Sequence, residues 1–154
     1  MIESPTHVRD VMSSEVVTLV AGDHLDLASD IMTLGRIRHM PVVSGDHLVG
    51  ILTQRDLFRG AISSVLTLRP SAERSWMAKI RVEEVMTREV FTARPDWTIR
   101  RAVDLMLDKK IGCLPVVEND QLIGILSESD CLHLLARMLV RAETAPASAG
   151  RDRG

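Results

Sequence analysis

A hydroxyl followed three residues later by a carboxylate occurs twice at the end of an apolar run: Thr53 and Asp56 in "GILTQRD" (50–56), Ser127 and Asp130 in "GILSESD" (124–130). Such a pair supports two kinds of chemistry. Just before an apolar helical run it forms a capping box, the hydroxyl accepting from a helix N–H while the acid rests in the positive first turn. The same atoms suit a nucleoside phosphate. The upstream glycine admits a flat ring to the backbone, the hydroxyl and helix N-terminus offer donors to phosphate, and the carboxylate accepts both hydrogens of a ribose diol. One copy alone leaves the two readings open. Duplication, together with Thr18 and Thr92 and the stretches "IRHMPVV" and "IGCLPVV", adds weight to the second.

These residues belong to an internal repeat, a pattern that fixes architecture before any single motif does. Shifting the chain by 74 residues lays Val8–Phe58 on Val82–Leu132 without a gap, with 19 of 51 positions identical. Each copy reads β-α-β-β-α. A short β-branched strand, "EVVTLV" or "EVFTAR", opens it. Leu25, Ala28 and Met32, like Ile99, Ala102, Val103 and Met106, then recur at helical spacing. Asp23 in one copy, and Asp96 or Thr98 in the other, offer caps. Two strands follow across "GD" or "ND", residues suited to a hairpin turn, with Pro41 and Pro115 near the start of the first of them.

The second helix begins at the hydroxyl–acid motif. In the first copy it carries Leu57, Phe58, Ala61, Ile62, Val65 and Leu66. In the second, Leu132, Leu134, Leu135, Ala136, Met138, Leu139 and Val140 cover more than one face, so cover from the other repeat and from a second subunit is expected. Met12, Met32, Met40, Met86 and Met106 read as core packing. The expected boundaries are a first repeat over 5–62, a linker over 63–78 containing the exposed "RPSAERS", a second repeat over 79–140 and a disordered tail over 141–154.

Composition narrows the function classes. Of 154 residues 45% are apolar and 26% charged, and the formal net charge is -2. Lys and Arg against Asp and Glu number 9 and 9 in residues 1–81 and 10 and 12 in 82–154, so no concentrated cationic face is available for nucleic acid. No apolar run approaches a membrane span and no secretory leader opens the chain, so a cytoplasmic protein is expected. Cys113 and Cys131 form no C-x-x-C pair and the five histidines are scattered, which predicts reduced thiols and no metal site. No triad order, P-loop or H-E-x-x-H is present, and no enzyme is expected.

The ordered set "VxxVM", a Thr on the first strand, "hxxhPVV" and "GhLTxxD" or "GhLSxxD", present twice, resembles the tandem CBS domain. This Bateman module is found in cystathionine beta-synthase, IMP dehydrogenase, chloride channels and the AMP-activated kinase gamma subunit. The resemblance spans about residues 5–140, is closest to the stand-alone pairs, and implies an α/β (α+β) fold of two repeats related by a pseudo-twofold axis, their sheets packed through a central interface. It implies that Thr53 with Asp56, and Ser127 with Asp130, hold ribose and phosphate of an adenine nucleotide. It further implies that Ile37, Arg38, His39 and Met40 up to Pro41, and Ile111, Gly112, Cys113 and Leu114 up to Pro115, line the adenine and phosphate pockets, with Thr18 and Thr92 nearby.

Where the first copy has Arg38 and His39, the second has Gly112 and Cys113, neither able to neutralise phosphate. Unequal clefts follow, the one bearing Arg38 being the nucleotide site. The expected function is a regulatory module with AMP, ADP, ATP or S-adenosylmethionine as ligand and no obligatory cofactor. It would pair as a homodimer through the second helices and signal to a downstream protein. The alternative is a constitutive homodimeric scaffold whose hydroxyl–acid pairs only cap helices.

Overall fold

The computed structural model describes residues 5–65 and 70–145. The first copy places β1 (Leu19–Val20), α1 (Leu25–Gly35), β2 (His39–Ser44), β3 (His47–Thr53) and α2 (Gln54–Val65) in order. After α3 (Pro70–Met77) the second copy places α4 (Ile99–Lys109), β4 (Cys113–Glu118), β5 (Gln121–Ser127) and α5 (Glu128–Thr144). Strand β1 runs parallel to β2 and β3 antiparallel, while β4 and β5 form the second antiparallel pair. Each hairpin slips register at the same place, between Val42 and Val43 and between Val116 and Val117. The turns differ. Gly45 supplies a left-handed φ of 61° in one, and Asn119 and Asp120 supply φ of 50° and 63° in the other, as a tight twisted hairpin requires.

Helices α1 and α4 form where apolar spacing predicts, burying Leu25, Ala28 and Met32 in one and Ala102 and Met106 in the other. Thr98 caps α4, accepting from the Arg101 N–H at 3.2 Å. Asp23 does not cap α1, because its Oδ2 instead accepts from the Val20 N–H at 2.9 Å and His24 takes the cap position. Asp96 likewise accepts from Arg94.

The opening segment of each copy packs on the other copy. Ser13 exchanges two 2.9 Å backbone hydrogen bonds with Ile125, and Thr87 exchanges the equivalent pair with Ile51. Val82 and Met86 enter the core of the first copy with Leu19, Met40 and Leu52, whereas Val8 joins Leu114, Val116 and Leu126 in the core of the second, with Met12 packed against it. This crossing shortens the expected first strands. Only Leu19–Val20 pairs regularly in the first copy and a single Ala93–Val116 bridge stands in the second, because the residues before them stretch toward the other copy. Two further bonds tie the hairpins together, Leu122 N–H to the Asp46 carbonyl at 2.9 Å and His47 Nδ1 with the Asp120 carbonyl at 2.8 Å.

The segment expected as an exposed linker contains α3, whose Trp76 and Met77 pack on the first core and whose Arg74 holds Asp30 in a two-pronged ion pair at 2.9 and 3.1 Å. Helix α5 runs to Thr144, past the expected end of the second repeat, while 146–154 of the expected tail lie outside the described residues. The side chains of Ala61, Ile62, Val65 and Leu66, expected on the apolar face of α2, also lie outside them. Among the described residues no helix is long and apolar enough to cross a membrane, and no group of His, Cys, Asp and Glu is placed to hold a metal ion.

Candidate functional site

The hydroxyl–acid pairs sit where strand gives way to helix. Asp56 Oδ2 accepts from the Thr53 N–H at 2.8 Å and from the Thr53 hydroxyl at 2.7 Å, and Thr53 Oγ1 accepts from the Asp56 N–H at 3.2 Å. Ser127 and Asp130 repeat this arrangement at 2.8, 2.8 and 3.3 Å. Both are capping boxes, so the local structural role is real in each copy. The preceding stretch is tied to the same turn, since the Arg38 carbonyl accepts from the Gln54 N–H at 2.8 Å and the Gly112 carbonyl from the Glu128 N–H at 3.0 Å. Two of the first N–H groups of α2, those of Gln54 and Asp56, are therefore already engaged, which leaves less of that helix terminus for an anion than its sequence suggests.

Around Thr53 and Asp56 opens a cleft of about 650 Å³. Its walls come from both copies: Arg38, His39 and Ile51 beside the hydroxyl–acid pair, Arg55, Phe58 and Arg59 along α2, and Thr87, Glu89, Val90 and Phe91 from the extended segment entering the second copy. Lys110, Ile111, Gly112, Cys113 and Glu128 close the far side. Residues of both pre-proline stretches thus meet in this cleft. His39 and Gly112 face each other closely, for a Cβ on Gly112 would lie 2.9 Å from His39 Nε2.

Other expected positions fall elsewhere. Met40, Pro41, Leu114 and Pro115 are fully buried and line neither hollow; strand alternation turns Met40 and Leu114 into the two cores, and Pro41 and Pro115 are buried on the other face of their strands. Ile37 packs against the first core. Thr92 faces an adjoining hollow of about 580 Å³ with His47, Arg88 and Val117, since alternation along 87–92 sends Thr87, Glu89 and Phe91 to one side and Arg88 and Thr92 to the other, with Val90 bordering both hollows. Thr18 is exposed and lines neither hollow. Ser127 and Asp130 line neither as well, and Asp130 Oδ1 accepts from the Ser13 hydroxyl at 3.4 Å. The glycines of the two motifs do not admit a ring. A Cβ on Gly50 would meet the Met86 sulfur at 2.6 Å, and one on Gly124 the Met12 sulfur at 2.6 Å, so crossing methionines fill that space.

Lys110, Phe91 and Glu128 were not singled out from sequence as cleft residues, and Arg55, which the sequence offers either to a phosphate or to solvent, borders the cleft. Period-two alternation after "VMT" and the 74-residue offset, applied to the segment that crosses between copies, would have found Phe91. Lys110 required its left-handed φ of 54° at the end of α4.

The cleft mixes charge, with Arg38, Arg55, Arg59 and Lys110 against Asp56, Glu89 and Glu128. Burial pushes the His39 pKa below the usual imidazole value of 6.5, against the pull of Glu128. The Cys113 thiol is pushed up to about 12, first by burial and then by Glu128, which leaves it protonated and a poor nucleophile.

The CBS domain family model matches residues 8–63 and 82–137. Homoserine O-acetyltransferase of Methanohalobium evestigatum is 35% identical over 134 residues, which are 86% of this chain but 24% of that protein, so the chain spans about a quarter of its length. Among solved structures, a protein of Vibrio cholerae assigned to acetoin utilization (AcuB) superposes with a TM-score of 0.76 at 31% identity, over 93% of this chain and 99% of that one. The CBS domain pair of protein MJ0100, solved with 5′-methylthioadenosine and S-adenosyl-L-methionine, gives 0.72 at 27% identity, over 84% and 99%. Two matched copies cover most of the sequence, and the chain belongs to the CBS domain family as a tandem pair.

Proposed function

We propose that this CBS pair is a regulatory module that binds an adenosine-containing ligand, an adenine nucleotide or S-adenosylmethionine, in the Thr53–Asp56 cleft and reports occupancy to a downstream protein. One observation carries the reading: a hydroxyl–acid pair, the Phe91 ring and the cations Arg38, Arg55 and Lys110 converge on a single hollow of about 650 Å³, a volume in the range of small-ligand pockets. The ligands of the MJ0100 pair support it, being adenosyl compounds on a similar fold.

The clefts are unequal in this reading. Around Asp130 the second carboxylate oxygen already accepts from Ser13, whereas the equivalent residue of the crossing segment in the first cleft, Thr87, faces the hollow. Titration calorimetry with AMP, ADP, ATP and S-adenosylmethionine tests this. Binding that survives Asp130→Ala and is lost in Asp56→Ala supports the assignment, the reverse pattern exchanges the sites, and no heat with any of the four ligands leaves the capping scaffold.

The module is proposed to act as a homodimer in the cytoplasm, without chemistry of its own. Helix α5 exposes about half or more of Leu132, Leu135, Met138, Leu139 and Val140, an apolar surface that a second copy would cover by twofold pairing.

A further inference from the structure

The two copies differ at the residue after the hydroxyl. It is Gln54 in the first and Glu128 in the second, and both side chains line the same cleft. Glu128 belongs to the second copy, yet it lines the cleft of the first copy's Thr53–Asp56 pair. Its N–H is fixed on the Gly112 carbonyl at 3.0 Å, and its Oε2 lies 3.5 Å from the point above Gly112 that His39 Nε2 approaches to 2.9 Å. A carboxylate is thereby held on the wall facing the Thr53–Asp56 pair, beside the imidazole of the stretch that carries Arg38.

Resting on the adenosyl reading of the cleft, we infer that Glu128 is a specificity-determining residue that offsets the pull of Arg38, Arg55, Arg59 and Lys110 on added phosphates, and so lowers the preference of the site for a triphosphate relative to a nucleoside monophosphate or a cationic adenosyl compound. The reason is Coulombic. Glu128 is exposed at the rim of the cleft, where water weakens but does not abolish the interaction, and ATP brings about two more negative charges than AMP toward the same carboxylate. Gln54, of nearly the same shape, imposes no such bias from the opposite copy.

The test compares wild type, Glu128→Gln and the reciprocal Gln54→Glu by calorimetric titration with adenosine, AMP and ATP without magnesium. Glu128→Gln is expected to raise the ATP-to-AMP affinity ratio by about tenfold while adenosine affinity stays constant, and the gain should shrink as salt rises. Gln54→Glu should lower the ratio. A ratio unchanged in both variants, or an equal change for adenosine and ATP, overturns the role of Glu128 and leaves nucleotide binding intact. A wild type that binds none of the three overturns the adenosyl reading itself, and this inference with it.

Discussion

The sulfur of Met86 stands over Gly50, occupying the space that any side chain there would need, and Met12 stands in the same relation to Gly124. The "VM" of one copy and the "GIL" of the other are thus two halves of one contact. Gly50→Ala should destabilise the fold by about 1–3 kcal/mol, because a methyl group forced into a packed core displaces its neighbours. In a Met86→Ala background the same substitution should cost markedly less. Denaturant melts of the four proteins of this cycle check the coupling, and additive costs would count against the contact.

Both hydroxyl–acid pairs cap a helix, whereas ligand contact is proposed for the first copy alone. Thr53→Ala and Ser127→Ala should each cost about 1 kcal/mol through loss of the cap. Only Thr53→Ala should also weaken adenosyl binding. Thermal melts with and without ligand measure both effects on one sample.

His39 gives the stability a slope on the acid side. Its folded pKa lies below the 6.5 of a free ring, chiefly because it is half-buried, so on acidification the unfolded chain takes up a proton before the folded one does. Its stabilising effect is complete above 6.5 and falls away as pH drops below it. His39→Gln should therefore lose less stability than wild type between about pH 8 and about pH 5. Equal losses would show that burial does not set the protonation of this ring.

Cysteine reactivity reports on the cleft wall. With its pKa pushed up to about 12, Cys113 should resist iodoacetamide at about pH 8 in the folded protein and react once unfolded. Cys131 is less buried and should be labelled first. Mass spectrometry of peptides after timed alkylation decides the order.

The α5 surface predicts association. Leu135→Glu together with Leu139→Glu should shift the protein from dimer to monomer in light scattering, with helix content by circular dichroism unchanged. A wild type that is monomeric at all concentrations removes the homodimer from the proposal.

Most of the architecture was legible because the repeat, the helical spacing of Leu25, Ala28 and Met32, and the small polar turns each act through local physics. Residues of the cleft were legible where a motif marks them, as with Thr53, Asp56, Arg38 and His39. What the sequence hides is the exchange between copies. Nothing in "VRDVMS" or "VEEVMT" states that it packs on the other repeat, so the roles of Gly50 and Gly124, the meeting of His39 with Gly112 and the placement of Phe91 and Glu128 at the cleft emerge only once the chain crosses over. Met40 and Leu114 show the converse, since a motif marked them for the pocket while strand alternation buries them.

The swapped opening segments also bear on synthesis. When only the first copy has left the ribosome, its apolar centre still lacks Val82 and Met86, while Val8 and Met12 wait for a half not yet translated. Each core is completed by residues of the other copy's opening segment. A nascent chain of this kind holds greasy surface open until both are made, then locks in one concerted event, so severing the gene between its repeats should yield two fragments that are each insoluble and recover order when mixed.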